Sequence, residues 1–111
     1  MLGVVIKAHA STEAQLKEEL RDTIALYIIA IAEERGVDAN LALRVAHCES
    51  GLNTFAVNHT SKELSVGIFQ INTKVHDVTV SEAEDPVFNV NWAMNHLAEG
   101  RWKMWSCYKI V

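Results

Sequence analysis

The chain has 111 residues, half of them hydrophobic, and a formal net charge of -4 at pH 7. This length fits one domain with a single core, and the apolar content excludes a disordered chain. The acidic balance argues against a nucleic-acid partner, and no run approaches the roughly 18 apolar residues of a membrane-spanning helix.

The N-terminus is predicted to be an extension, residues 1–10, followed by one domain, residues 11–111. The extension contains a short apolar patch, Leu2 to Ile6. This patch is shorter than the roughly 7–15 residues of a signal-peptide core, so we identify no signal peptide. Export would then depend on cell lysis or a secretion machine, unless the chain is a trimmed domain.

The first predicted helix runs from about Ser11 to Arg35. Thr12 and Gln15 form a capping box at its start, and Gly36 follows its end. Apolar residues recur along it at helical spacing: Leu16, Leu20, Ile24, Tyr27, Ile28 and Ile31. Because residues 24–32 are apolar nearly all round, we expect this helix to be largely buried.

The second predicted helix spans Asp38 to Ser50 and places a carboxyl group on its apolar face. Asp38 is a suitable N-cap and Gly51 a suitable stop. Glu49 follows Val45 by four residues, so both lie on one face, and it falls in the last turn, where the helix dipole disfavours negative charge. Burial and dipole together favour the protonated carboxyl, which is the form that a general acid requires. The alternative is an exposed Glu in a fraying turn.

The rest of the chain predicts a small β-element and a further helix. Residues 51–65 indicate a loop or β-ribbon, and Val66 to Asn72 a strand with Ile68, Gln70 and Asn72 on one side. Asp85 followed by Pro86 is a strong helix start, and that helix is expected to end near Glu99. Beyond it, Trp102 and Trp105 share one helical face and favour core packing.

Metal binding is not expected. The five histidines are scattered without ligand spacing, and the two cysteines, Cys48 and Cys107, form no Cys-x-x-Cys motif.

From Val37 onward the chain resembles the lysozyme-like superfamily, most closely the soluble lytic transglycosylase domain. Four blocks occur in the family's order: Glu49-Ser50-Gly51-Leu52-Asn53, Ala56-Val57-Asn58, Gly67-Ile68-Phe69-Gln70-Ile71-Asn72, and Asp85-Pro86 with Asn89-Val90 and Ala93 to Leu97. The resemblance extends across about two thirds of the chain. In the last block His96 stands where the family usually has Tyr.

The resemblance implies a fold and a set of site residues. The fold would be mainly α (α+β, lysozyme-like), a helical domain with a small β-element around residues 54–72 beside the cleft. The site residues would be Glu49 as the catalytic acid, with Ser50, Asn58, Gln70, Asn72 and His96 binding substrate. Ser50 and Asn58 would orient Glu49 or the substrate's acetamido group, and Gln70 and Asn72 would hydrogen-bond to sugar.

The resemblance also implies cleavage of peptidoglycan glycan strands at the β-1,4 bond from N-acetylmuramic acid to N-acetylglucosamine. Animal-type lysozymes carry a second carboxylate where this chain has Ser65, and the nearest acid, Glu63, is most simply a solvated charge. A single acid is the pattern of lytic transglycosylases, which release 1,6-anhydromuramyl ends without a cofactor. Hydrolysis by a muramidase and a non-catalytic glycan-binding module remain the alternatives. The protein would then be a monomer that acts on the cell wall, in the periplasm or outside the cell.

Cys48 and Cys107 are expected to lie close together, because the C-terminal Trp segment must pack near the helix that carries Glu49. We predict a disulfide if the protein acts outside the cytoplasm, with two buried thiols as the alternative.

Overall fold

The computed structural model describes residues 12–111, so the predicted extension and the expectations on it lie outside the described residues. In the described part, two helices precede three consecutive short strands, and further helices follow: α1 (Glu13–Glu34), α2 (Ala39–Ser50), β1 (Val57–His59), β2 (Leu64–Val66), β3 (Ile71–Asn72), α3 (Val80–Glu84) and α4 (Pro86–Ala98), then two 3-10 helices (Trp102–Met104 and Ser106–Lys109). The mainly α fold with a small β-element is confirmed. Within residues 12–111, no helix is long and apolar enough to cross a membrane.

The helix ends follow the capping residues that the sequence contains. Thr12 and Gln15 form the predicted capping box of α1, with reciprocal backbone-to-side-chain hydrogen bonds of 2.8 and 3.1 Å. Asp38 caps α2 by accepting from the backbone N–H of Leu41, and Gly51 ends that helix in the left-handed conformation, at φ 65°. The short helix α3 was not predicted, although Thr79 and Glu82 form a second capping box at its start.

The expectation that α1 is largely buried is wrong. Its buried residues are Ile24, Ile28 and Ala32, all in the second half of the helix, where α1 joins the core. Leu16 and Leu20 in the first half are about half exposed, at 54% and 50%. The apolar stripe of α1 therefore extends beyond the part of the helix that packs against α2 and α4. The sequence pattern alone does not show where that packing ends.

Most of the core lies between α1, α2 and α4. It is formed by their small and aliphatic residues together with Phe69 from the β-region and Trp105 from the C-terminal segment. The ring of Trp105 is 4% exposed, and its indole N–H donates to the carbonyl of Phe69 at 2.7 Å. Trp102 also packs against this core, next to Tyr108. Both tryptophans therefore take part in core packing, as predicted, but the prediction that they share one helical face is wrong, because Trp105 lies between the two 3-10 helices.

The three strands form an antiparallel sheet in the order β1-β2-β3, with Asn58 opposite Ser65 and Ser65 opposite Asn72. The predicted single strand from Val66 to Asn72 is wrong, because residues 67–70 turn the chain between β2 and β3. Gly67 and Gln70 both have positive φ, 85° and 50°, which an extended strand does not allow. This segment is rich in apolar residues because the turn that it forms is buried.

A buried amide holds that turn in place. Asn89 of α4 is fully buried, and its side-chain oxygen accepts from the backbone N–H of Phe69 at 2.8 Å. Its side-chain nitrogen donates to the carbonyls of Ala83 at 2.8 Å and Val66 at 3.2 Å. One side chain thus joins the turn, α3 and α4, and it satisfies backbone groups that no strand pairing would satisfy.

Candidate active site

A cleft of about 360 Å³ opens beside the C-terminal end of α2, and the Glu49 side chain lines it. The other lining residues come from the β2–β3 hairpin (residues 64–72), the segments directly before and after it, α4 and the C-terminal segment: Glu63, Ser65, Gln70, Ile71, Asn72, His76, Trp92, Met104, Trp105 and Ser106. The structure therefore places Glu49 in a groove and half-buried, as the sequence predicts, and not in a frayed turn.

The electrostatics of the cleft favour the protonated form of Glu49. Burial raises the pKa of this carboxyl above its ordinary value, and the nearby Glu63 carboxylate raises it as well. Two hydrogen bonds oppose them, one from the backbone N–H of Cys107 to Oε2 at 3.1 Å and one from the Ser106 side chain. Because the net direction is upward, Glu49 has the environment of a general acid, and the Cys107 N–H fixes one of its oxygens.

Glu63 is not the solvated charge that the sequence suggests. It immediately precedes β2, is half-buried and lines the same cleft as Glu49. The hydroxyl of Ser65, which is only 2% exposed, donates to Glu63 Oε2 at 2.6 Å. The cleft therefore contains two carboxyl groups, and the second arises from a position two residues before Ser65.

Gln70 lines the cleft, but its side-chain amide already makes hydrogen bonds to other groups of the protein. Its nitrogen donates to the carbonyls of Ala56 and Gly67, at 3.1 and 3.0 Å. Its oxygen accepts from the side chain of Asn58 at 2.7 Å. Gln70 thus ties the turn to β1, and Asn58, which does not line the cleft, supports Gln70. These contacts leave Gln70 only its second oxygen lone pair for a sugar hydroxyl.

Asn72 also lines the cleft, and it is better placed to bind a ligand. Its side-chain oxygen accepts from the backbone N–H groups of Leu64 and Lys74, both at 3.1 Å, which fixes the orientation of the amide. Within residues 12–111 its side-chain nitrogen makes no hydrogen bond to protein. A held amide with a spare donor is suited to a sugar oxygen.

Ser50 does not line the cleft. Its hydroxyl donates to the carbonyl of Ile68 at 2.7 Å and so fastens the hairpin turn to the helix that carries Glu49. Its outer side lies in a larger groove of about 870 Å³, between the first half of α1 and residues 50–55. Ser50 is therefore a neighbour of the cleft residue Glu49 that does not itself line the cleft.

His96 also stands outside the cleft lining. Its ring lies 4.1 Å from that of Trp92, centroid to centroid, and its Nδ1 is 2.9 Å from the guanidinium of Arg101. Burial lowers the pKa of the imidazole, and the charges of Arg101 and His76 lower it further. His96 thus supports the cleft wall from behind, through Trp92.

Trp92 and His76 form that wall and were not predicted as site residues. Their rings are 4.8 Å apart and steeply inclined, at 70°. Trp92 lies on α4 and His76 on the turn after β3, so no spacing in the sequence indicates that they meet. Aromatic faces of this kind pack against the apolar faces of sugar rings.

Cys48 and Cys107 are joined by a disulfide in the structure, across 59 residues. The bond connects the last turn of α2 to the segment that supplies Ser106 and the Cys107 N–H to Glu49. Among the described residues, no group of three or more His, Cys, Asp or Glu side chains is arranged to hold a metal ion.

A comparison with protein families finds one match, to a model described as a lysozyme-like domain, over residues 26–107. This range includes α2, the hairpin, α4 and every residue that lines the cleft. No curated protein and no solved structure matches the chain.

Proposed function

Because the chain belongs to the lysozyme-like domain family, and this membership supports a glycan-cleaving function in general, we propose that it cuts peptidoglycan glycan strands. Glu49 is the catalytic acid in this proposal. The bond is the β-1,4 linkage from N-acetylmuramic acid to N-acetylglucosamine, and the reaction is lytic transglycosylation. The observation that carries the proposal is the position of Glu49: half-buried in a cleft, with burial raising its pKa.

The same carboxyl group, that of Glu49, acts in both steps of the reaction. Glu49 gives its proton to the bridging oxygen as the bond from that oxygen to the anomeric carbon breaks. The carbonyl oxygen of the substrate's own N-acetyl group stabilises the positive charge left on the anomeric carbon. Glu49, now a carboxylate, takes the proton from the muramyl 6-hydroxyl, whose oxygen bonds to the anomeric carbon and closes a 1,6-anhydro ring. The 6-hydroxyl is held inside the site at high effective concentration, so no water is needed.

The surrounding residues have supporting roles in this proposal. Asn72 binds a sugar oxygen, and Trp92 with His76 packs against a sugar ring. Ser50, Asn58 and Gln70 hold the hairpin that shapes the cleft floor. The protein acts as a monomer on the cell wall, in the periplasm or outside the cell, where a disulfide persists. No cofactor takes part.

Hydrolysis of the same bond is the second candidate, and one observation favours it. Glu63 faces the same cleft as Glu49, and a second carboxylate is the group that hydrolytic glycosidases use as base or nucleophile. A water held there would compete with the 6-hydroxyl.

Mass spectrometry of muropeptides after incubation with purified protein tests these alternatives. Transglycosylation yields 1,6-anhydromuramyl ends, which are lighter than hydrolysed ends by one water molecule. Mostly reducing-end products would show a muramidase with Glu49 kept as its acid. No products of either kind would favour a glycan-binding module.

Glu49→Gln tests the acid itself. We expect the variant to lose turnover and keep glycan binding, because the amide retains the shape and can accept from the Cys107 N–H but cannot donate the proton. Glu19→Gln, an exposed change on α1, is the matched control and should remain active. Full activity in Glu49→Gln would refute the proposal.

A further inference from the structure

The disulfide between Cys48 and Cys107 lies directly beside the proposed acid. Cys48 immediately precedes Glu49 at the end of α2, and the backbone N–H of Cys107 donates to Glu49 Oε2 at 3.1 Å. One end of the bond is therefore next to Glu49 along the chain, and the other end supplies a hydrogen bond to its carboxyl group. Both cysteines are thus tied to the same side chain, although 59 residues separate them.

The disulfide is the main tether between α2 and the last segment of the chain, residues 106–111. Among residues 12–111, the backbone of this segment makes one hydrogen bond to another element, from the Cys107 N–H to Glu49. Its other backbone hydrogen bonds are local, such as the bond from the Tyr108 N–H to the Trp105 carbonyl at 3.1 Å. A single hydrogen bond adds little net stability, because water competes for both partners. The covalent bond therefore fixes the position of the donor.

Aromatic contacts hold the same segment near the core without the help of either sulfur. The indole N–H of the buried Trp105 donates to the Phe69 carbonyl at 2.7 Å. Tyr108 packs against the core beside Trp102, with ring centroids 5.6 Å apart. These contacts remain when the disulfide is reduced. We therefore expect reduction to release the Cys107 N–H from the acid while the fold persists.

An external thiol has access to the bond from one side. Cys48 is exposed, whereas Cys107 is only 8% exposed, and accessible disulfides exchange with thiols more readily than buried ones. One thiolate of a dithiol attacks Sγ of Cys48, and the Cys107 sulfur leaves as a thiolate and takes up a proton. The second thiol of the reductant attacks the mixed disulfide and releases Cys48 as a thiol. The dithiol becomes a cyclic disulfide, so two electrons pass from it to the protein.

We propose that the Cys48–Cys107 disulfide is a redox-controlled positioning element: the oxidised protein holds the Cys107 N–H on Glu49 and cleaves glycan, and reduction by a dithiol lowers turnover while the domain stays folded. This inference rests on the proposed function and adds a control to it. In the oxidised protein the N–H stabilises the carboxylate that forms when Glu49 gives its proton. It also fixes one carboxyl oxygen, which keeps the acid aligned with the bond that breaks.

A carbon-13 NMR titration of Glu49 tests the position of the donor without substrate. It compares oxidised protein with protein reduced by dithiothreitol, in which labelling by iodoacetamide confirms two free thiols. We expect the pKa of Glu49 to be higher in the reduced protein, because the Cys107 N–H favours the ionised carboxyl and is then lost. The other ionisable residues that line the cleft, Glu63 and His76, are present in both states. An unchanged titration would overturn the proposal, whether or not the protein is active.

The rate of glycan cleavage gives the second readout. We expect reduction to lower kcat at least about tenfold, since a small misplacement of a reacting group commonly costs that much or more. Reoxidation should restore the rate. A thermal melt shows whether the reduced protein is folded, and loss of a cooperative melt would overturn the proposal, because the bond would then hold the whole fold. A folded, reduced protein with kcat within twofold of the oxidised one would overturn it as well.

The double variant Cys48→Ala with Cys107→Ala separates the bond from the reductant. The chain has only these two cysteines, so the folded variant should match the reduced wild type in kcat and in the Glu49 titration, and it should not respond to dithiothreitol. A variant that matches the oxidised wild type, or that loses its cooperative melt, would contradict the inference. Absence of cleavage in the oxidised wild type would instead overturn the proposed function, and the titration would still test the position of the donor.

Discussion

Gly67 should be the most sensitive position of the hairpin, and Gly67→Ala should destabilise the fold severely. Its φ of 85° lies in the left-handed region, where an L-residue with a Cβ costs about 1–2 kcal/mol. A Cβ at this position would also collide with the carbonyl oxygen of Ala83 and come 2.5 Å from Nδ2 of Asn89. The Ala83 carbonyl is backbone and cannot move aside cheaply.

The collision would break the buried hydrogen bonds that Asn89 makes to Ala83 and Val66. Each buried polar group left without a partner costs about 1–3 kcal/mol, so the two carbonyls together with the backbone strain should cost about 3–8 kcal/mol. That is a large part of the 5–15 kcal/mol that stabilises a typical domain. At about 4–8 °C per kcal/mol for a domain of this size, Tm should fall by more than about 10 °C.

Gly36→Ala is the matched control for this change. Gly36 also has a positive φ, 70°, but a Cβ there would meet nothing within 4 Å. It should therefore cost only the backbone strain, about 1–2 kcal/mol. Denaturant unfolding of both variants gives the comparison. Equal losses would refute the reasoning, because the contact with Ala83 and Asn89 would then contribute nothing.

Two further predictions concern the disulfide and the pH dependence of Glu49. Replacing Cys48 and Cys107 together by Ala should lower the free energy of unfolding by about 4 kcal/mol, the chain-entropy value for a 59-residue loop. In the wild-type protein, labelling of both sulfurs by a thiol reagent under denaturing, non-reducing conditions would show that the bond is absent. Burial raises the Glu49 pKa from its ordinary 4.5, so between these two pKa values the native state retains a proton that the unfolded state releases. The free energy of unfolding should therefore fall as pH rises from 4.5 through the raised pKa. Activity should fall over the same range, because the proposed acid loses its proton. Glu49→Gln should remove this contribution to the stability slope in denaturant titrations at several pH values, and an unchanged slope would contradict it.

The three long helices, α1, α2 and α4, were the predictable part of this fold, because their ends depend on local chemistry. Asp38 and Asp85 each cap the helix that follows by accepting backbone hydrogen bonds, and the sequence shows both residues directly before apolar helical patterns. Burial was less predictable, since it depends on what another element covers. Leu16 and Leu20 continue the stripe of α1 but remain half exposed.

The hairpin shows why an apolar run is ambiguous. Residues 66–71 are all buried, and alternation could not distinguish a buried strand from a buried turn. The positive φ of Gln70 is unusual for a residue other than Gly and depends on the bonds of its side chain to Ala56, Asn58 and Gly67. These partners are 3 to 14 residues away, so no local pattern indicates the conformation.

The position of the Glu49 carboxyl was predictable from the sequence, but what sets its protonation was not. Its position on the apolar face at the end of α2 follows from helical spacing alone. The groups that act on its carboxyl come from elsewhere: Glu63 before β2, and Ser106 with the Cys107 N–H from the C-terminal segment. The disulfide anchors that segment to the residue beside Glu49, so the same bond that restricts the unfolded chain also holds a hydrogen-bond donor on the acid. This N–H favours the ionised carboxyl, whereas burial and Glu63 favour the protonated one. The Glu49 carboxyl is therefore held between two opposing influences, and in the proposed mechanism this suits a group that gives a proton in one step and takes one back in the next.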